Sequence, residues 1–247
     1  IVPMKPTPNS PKLAPLLAFG AHPDDIEFAC GGVVAKETRA GRAAHFVVCS
    51  RGEAASHGTP ELRAIEAEKS AKILGATVRF IELDGDARLE IRARHAIALA
   101  QIIRAVRPGI VLAPSLIENQ HPDHPKLGRI VRDAARLARY GGFEELRGHA
   151  AHAIDLLLHY AIMAEAEPKD VTPLLIDVSE AEVLAAWTAA MAAHASQSAT
   201  RDYRQLQLTR AKLHGLSAGI EYAIPLFSSD PIVVDLLARL GRGARSF

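Results

Sequence analysis

Four short apolar runs, each followed by a segment of different periodicity, restrict the first half of this chain to one class of architecture. The runs cover residues 13–20, 43–50, 77–83 and 109–113. Between them, residues 26–40, 60–74 and 91–106 have helical length. Gly41 and Gly75 stand just past the first two, where a left-handed residue ends a helix. Pro60 opens the second at its first turn. Strands alternating with helices in this way build βαβ units and a parallel sheet. The expected fold is therefore α/β, a Rossmann-like, doubly wound, mainly parallel sheet with helices on both faces. In the usual order 3-2-1-4, strands 1 and 4 are neighbours whose connections leave in opposite directions, and ligands bind beyond the carboxyl ends of the strands at that point.

The second half is less regular. Residues 155–162 and 174–178 read as strands, and Ser179 with Glu182 as a capping box before a helix to about residue 195. Another helix is expected over 201–216 and a loop over 225–231. The expected division is a loose, Pro-rich arm over 1–14 and a single α/β domain over 15–247. The first residues contain no apolar core of a secretory signal. A start on Ile1, with Met4 close behind, points to a chain that is not the whole translated product.

Composition excludes several functions. Lys and Arg number 29 against 28 Asp and Glu, so the basic excess of a nucleic-acid binder is missing. No window reaches the roughly 18 apolar residues of a membrane span. Only Cys30 and Cys49 are present, which fits a reducing, cytoplasmic setting rather than a disulfide scaffold. Cys30 reads as a small buried side chain, since five residues along a helix rotate it away from Asp25.

The chemistry is concentrated after strands 1 and 4. Ala21-His22-Pro23-Asp24-Asp25 follows the first, and His121-Pro122-Asp123-His124 comes soon after the fourth. In each motif two donors stand three residues apart around a proline. His22, Asp25 and His124 give a two-His, one-carboxylate set, which suits a catalytic zinc with an open position. The same set serves non-heme iron in oxygenases, the competing reading. Asp24 must point differently from Asp25 and is placed to act as general base, while His121 is placed to donate to an oxyanion or a leaving amine. Asp123 is suited to hold an imidazole tautomer. Either of Asp24 and Asp25 could instead cap the following helix.

These motifs, with Gly31-Gly32, Arg51-Gly52-Glu53, Gly58-Thr59, Arg63 with Glu66, Leu74-Gly75, His194-Ala195-Ser196-Gln197 and the stretch from Gly219 to Ala223, resemble the LmbE-like (PIG-L) family of zinc-dependent N-acetylglucosaminyl deacetylases. The resemblance covers nearly the whole chain after the arm and is strongest to the bacillithiol-biosynthesis branch. It implies one zinc per chain, with iron as the alternative metal, and an amino-sugar substrate. It also implies His22, Asp25 and His124 as ligands, Asp24 as base, and His121 as oxyanion stabiliser with Asp123 behind it. Assembly into a homo-oligomer, a trimer or hexamer, is implied too, with no nucleic-acid or membrane partner.

The chain departs from the branch at the substrate rim. Gln120 and Asn119 stand where Arg and Asp are usual, and Ile224-Pro225 where an acidic residue is. Losing the cation at Gln120 weakens the case for an anionic aglycone. Arg63 matches a substrate-binding Arg, or else lies on a solvated helix face. Glu53 reads as a substrate contact or an acceptor that orders its loop, and His57 as solvent-exposed. His194 and Gln197 share a helix face that could reach a site, including that of a neighbouring subunit. His45, His95, His149, His152 and His159 have no metal-ligand partner by sequence and read as structural.

Overall fold

The computed structural model describes residues 13–118, 121–198, 201–236 and 241–244. The expected arm therefore lies outside the described residues except for Leu13 and Ala14. Seven strands form one sheet in the order β3-β2-β1-β4-β5-β7-β6. They are β1 (Leu16–Gly20), β2 (Ala44–Val48), β3 (Ala76–Phe80), β4 (Ile110–Pro114), β5 (Leu156–Tyr160), β6 (Leu174–Asp177) and β7 (Ala223–Ser228). The first five run parallel, and β7 runs antiparallel to both β5 and β6.

Alternate residues of β1 serve two different cores. Leu16 and Ala18 pack with α1 (Asp25–Arg39) and α5 (Ala181–Ala193), while Leu17 and Phe19 pack with α3 (Ala93–Val106) and α4 (Asp123–Ala138). The period of two along a strand sends successive side chains to opposite faces. A strand buried on both faces thus reads as an unbroken apolar run. Each fully buried Leu or Phe contributes roughly 1.5–3 kcal/mol. α2 (Pro60–Ile73) is capped by Thr59, whose hydroxyl accepts from Leu62 N, and α6 (Tyr203–Ser217) by Asp202, which accepts from Gln205 N.

Three expectations need correction. Residues 225–231 do not form a simple loop, because Pro225 lies within β7. Its missing N–H is tolerated because the β5 ladder begins only at Leu226, leaving Pro225 paired on one side, with Leu175. Ser179 and Glu182 form no capping box: Glu180 is the N-cap and makes no side-chain cap bond. The Ser179 hydroxyl instead donates to Tyr222 O and accepts from Tyr222 N, tying the helix entry to β7. Finally, α4 had no place in the sequence reading, although Leu127, Ile130, Val131, Ala134 and Ala138 recur at helical spacing and are all buried. Among the described residues no helix is long and apolar enough to cross a membrane.

Candidate metal centre

The two motifs meet beyond the carboxyl ends of β1 and β4, which are hydrogen-bonded neighbours. Gly20 ends β1, and the chain turns through Ala21 to Asp24 before entering α1 at Asp25. Asp24 has φ +119°, in the left-handed region that a residue with a Cβ rarely adopts. That turn is held from two sides. Asp25 Oδ2 accepts from Ala21 N at 2.8 Å and His22 N at 2.9 Å. Arg63, reaching over from α2, donates to Pro23 O at 2.9 Å, Gly52 O at 3.0 Å and Asp24 Oδ2 at 3.3 Å. Gly52 is required there, since a Cβ would occupy the guanidinium's place.

Donor atoms then converge. Asp25 turns one oxygen to each histidine: Oδ1 lies 3.2 Å from His124 Nε2, and Oδ2 lies 3.5 Å from His22 Nδ1. His22 Nε2 lies 3.0 Å from Asp86 Oδ1 and 3.5 Å from Asp123 Oδ2. His121 Nε2 lies 3.5 Å from Asp86 Oδ1, with its ring edge-on to that of His22. Donor atoms of His22, His121 and His124 come within 4.8 Å of one another, as do those of His22, Asp86, His121 and Asp123. His22, Asp25, Asp86, Asp123 and His124 are buried, whereas His121 is about a third exposed, its side chain at 32%.

The electrostatics follow from that packing. Burial works against ionisation of Asp25, but His124 and His22 outweigh it and hold the carboxyl well below its usual range. Burial alone would lower the His22 imidazole, yet Asp25, Asp123 and Asp86 raise it well above its ordinary value. Burial pushes Asp24 up to about 6, with Arg63 pulling against it. Asp86 is held low by His121 and His22 despite its desolvation.

The donor set fits a divalent cation. Ligands about 2.0–2.1 Å from a tetrahedral zinc stand roughly 3.3 Å from one another. The 3.2 Å between Asp25 Oδ1 and His124 Nε2 matches that spacing, while His22 Nδ1 approaches the other oxygen of Asp25, at 3.5 Å, and Asp25 belongs to neither of the two converging sets. Asp123 Oδ1 is moreover buried and makes no hydrogen bond. Such a group is costly unless something nearby satisfies it.

The cluster forms one wall of a cavity of about 320 Å³. Phe28, Ile162, Met163 and Tyr203 supply an apolar side, and Gln197 and Gln207 supply amides. Arg63 lines this cavity but is buried, so it is neither a solvated helix-face residue nor free of protein partners. Glu53 orders its loop, with Oε2 accepting from Arg51 N and Oε1 from Asp86 N at 2.8 Å. Asp123 accepts from Ala87 N through Oδ2, and its backbone N–H donates to His121 Nδ1 at 3.4 Å. Gln197 reaches the cavity of its own chain and donates to His57 O, and His57 is exposed. His194 lies fully buried behind Asp24, its Nε2 3.3 Å from Glu27 Oε1, and does not line the cavity. Asn119 and Gln120 lie outside the described residues.

None of the five histidines read as structural lines the cavity. His45 bonds Thr77, His95 bonds Glu90 O, His152 bonds Pro108 O and His159 bonds Pro114 O, while His149 contributes through its backbone. Cys30 is buried at a kink in α1, and burial raises its thiol further. Sequence reasoning missed Asp86, Phe28, Tyr203 and Gln207. For Asp86 a signal existed: it directly follows the Asp84-Gly85 turn beyond β3, at the same end of the sheet.

Comparison with known proteins agrees with this architecture. Residues 17–135 match the family model described as PIG-L, GlcNAc-PI de-N-acetylase. Over 158 residues the chain is 30% identical to a diacetylchitobiose deacetylase of Thermococcus kodakarensis, covering 59% of each chain. Over 148 residues it is 29% identical to a 4-oxalmesaconate hydratase of Pseudomonas putida, covering 55% of this chain and 57% of that one. The chain thus spans less than two thirds of the length of these two relatives. A solved structure of a conserved protein from Thermus thermophilus superposes with a TM-score of 0.80 at 28% identity, covering 92% of this chain and 100% of that one.

Proposed function

We propose that this chain, which belongs to the PIG-L (LmbE-like) family, is a metal-dependent hydrolase that removes the acetyl group from an N-acetylglucosamine-type conjugate. The observation that carries the reading is Asp24: a half-buried carboxylate beside the donor cluster, facing the cavity and braced by Arg63 at 3.3 Å. A site that merely bound a metal would need no such carboxylate.

His22, Asp25 and His124 would hold the cation, which when bound acidifies water and polarises the acyl carbonyl. Asp24 takes the proton of the water whose oxygen adds to the carbonyl carbon. His121, at the open side, donates to the oxygen that gains charge as the tetrahedral centre forms. The C–N bond then breaks, the amine nitrogen takes the proton that Asp24 removed from water, and acetate and a free amino sugar result. Arg63 keeps Asp24 aimed, and the apolar wall of Phe28, Ile162, Met163 and Tyr203 keeps competing water away.

The hydratase relative supports a second reading, because its substrate is by name a carboxylate. The cavity speaks against that for this chain. Among the described residues that line it, Arg63 is the sole Lys or Arg, and it is committed to Asp24 and two carbonyls. An anionic substrate would meet Asp24 and Asp86 with the bound cation and the histidines, but no free Lys or Arg, to offset them. The test is an amine-release screen of zinc-loaded protein over N-acetylglucosamine conjugates, with hydration of unsaturated carboxylates followed in parallel. Neutral glycosides should release amine at least as well as malate-linked ones, and should do so without oxygen, which an oxygenase could not. Hydration without amine release would overturn the hydrolase reading.

A further inference from the structure

We propose that Asp86 is a positioning residue of the metal centre, its carboxylate holding the Nε2 edge of His22 so that Nδ1 is presented to the cation, with His121 held beside it. A metal-binding imidazole characteristically gives its other ring N–H to a carboxylate, which fixes the tautomer and raises the basicity of the ligating nitrogen. The two edges of His22 face two different carboxylates. Its Nδ1 faces Asp25, a partner ligand, at 3.5 Å, and its Nε2 faces Asp86 Oδ1 at 3.0 Å. Asp123 is the other carboxylate near Nε2, but it stands farther off at 3.5 Å and already accepts from Ala87 N. The same Asp86 oxygen lies 3.5 Å from His121 Nε2, so one carboxylate contacts both a ligand and the group that faces the substrate.

Asp86 is itself fixed. Its Oδ2 accepts from Ala54 N at 3.1 Å, and its own N–H donates to Glu53 Oε1 at 2.8 Å. The next residue, Ala87, sits at φ +61°, a conformation that a residue with a Cβ rarely adopts. The Asp123 carboxylate holds Ala87 there through its N–H. A strained turn anchored at three points is what a carboxylate needs if it is to orient other groups. This inference rests on the metal-centre reading above, and only its turnover measurement depends on the hydrolase reading.

The experiment compares zinc affinity, by chelator competition, and the visible spectrum of the cobalt-substituted protein across Asp86→Asn, Asp86→Ala, Asp84→Asn and His124→Ala, with folding followed by circular dichroism. Asp84 belongs to the same turn but bonds Glu90 N and Arg94, away from the cluster. Asp86→Asn and Asp86→Ala should bind zinc ~10–100-fold more weakly and shift the cobalt bands. In turnover they should lose kcat more than they change KM. Asp84→Asn should bind zinc like the parent. Unchanged affinity and spectrum in both Asp86 variants would overturn the proposal. Metal loss as complete as in His124→Ala would overturn it too, by making Asp86 a ligand. Should the Asp86 variants not fold, Glu53→Ala loosens the same turn from an exposed position and must weaken zinc binding in the same sense; no change there is equally fatal. If the parent releases no amine from any conjugate, the hydrolase reading fails while the metal measurements still decide this one.

Discussion

Asp24 and Asp25 share a peptide bond, yet the backbone sends their side chains to different tasks. The left-handed conformation at Asp24 turns its carboxylate toward Arg63, while Asp25 enters the helix with its oxygens on the backbone of Ala21 and His22 and on the ring of His124. Asp24→Asn keeps the volume and removes the base, so turnover should fall by ~10²–10⁴-fold with metal retained. Asp25→Asn replaces a charged ligand oxygen with a neutral one and should instead lower metal content. Metal analysis and kcat on the same preparations separate the two, and normal turnover by zinc-loaded Asp24→Asn would refute the assigned base. These residues were legible because a proline turn after a buried strand leaves the donors few directions to point. Asp86 was not, since its contact with His22 depends on how the β3 turn folds over two other strands. Arg63 was legible as a candidate, but the pattern of α2 could not show that its guanidinium is spent on a turn far away in sequence.

At the scale of elements, the alternation that announced β1 to β4 is a local signal, and its strands and helices appear where expected. The antiparallel end of the sheet is not local. β7 contains Pro225 and becomes a strand only because β5 and β6 flank it. The pairing of α1 with α5 shows what local sequence does encode. Trp187 donates to Glu27 O at 2.8 Å and lies so close to α1 that a Cβ on Gly31 would meet its ring at 2.8 Å. Gly31→Ala should therefore cost about 1–3 kcal/mol by overpacking, despite the better helix propensity of Ala. Chemical denaturation measures it, and a gain in stability would show that α5 can retreat. A second junction predicts a pH effect. Burial disfavours the Glu167 anion, but His214 at 3.0 Å and Arg210 at 2.6 Å outweigh it and hold the carboxyl below its usual range. A depressed folded-state value adds stability above the unfolded value of about 4.3 and loses it as pH falls through the folded one. The gap in Tm between parent and Glu167→Gln should be largest near neutrality and shrink in acid. An equal gap at about pH 3 and pH 7 would exclude this linkage.

For the whole molecule, the two apolar layers and the metal centre are separable. The donors sit beyond the strand ends, His22, Asp86 and His121 in turns and Asp25, Asp123 and His124 in the first turns of α1 and α4, while the strands pack through apolar side chains. The far wall of the cavity arrives from β5's following loop, the turn after α5 and the start of α6. No sequence pattern announces that meeting, which is why the side of the pocket that carries the two motifs was legible and the opposite wall was not. Removing the cation should consequently abolish turnover while leaving the fold. Far-ultraviolet circular dichroism should persist after chelation. Tm should drop, because a ligand held at 1,000 times its Kd stabilises by about 4.1 kcal/mol. The chelated protein also leaves Asp25, Asp86 and Asp123 together in a buried space, with Lys126 Nζ 3.9 Å from Asp123 Oδ1. Added zinc should restore both Tm and turnover. If chelation unfolds the protein outright, the donor cluster is part of the core, and the separation of layer from site argued from the packing is wrong.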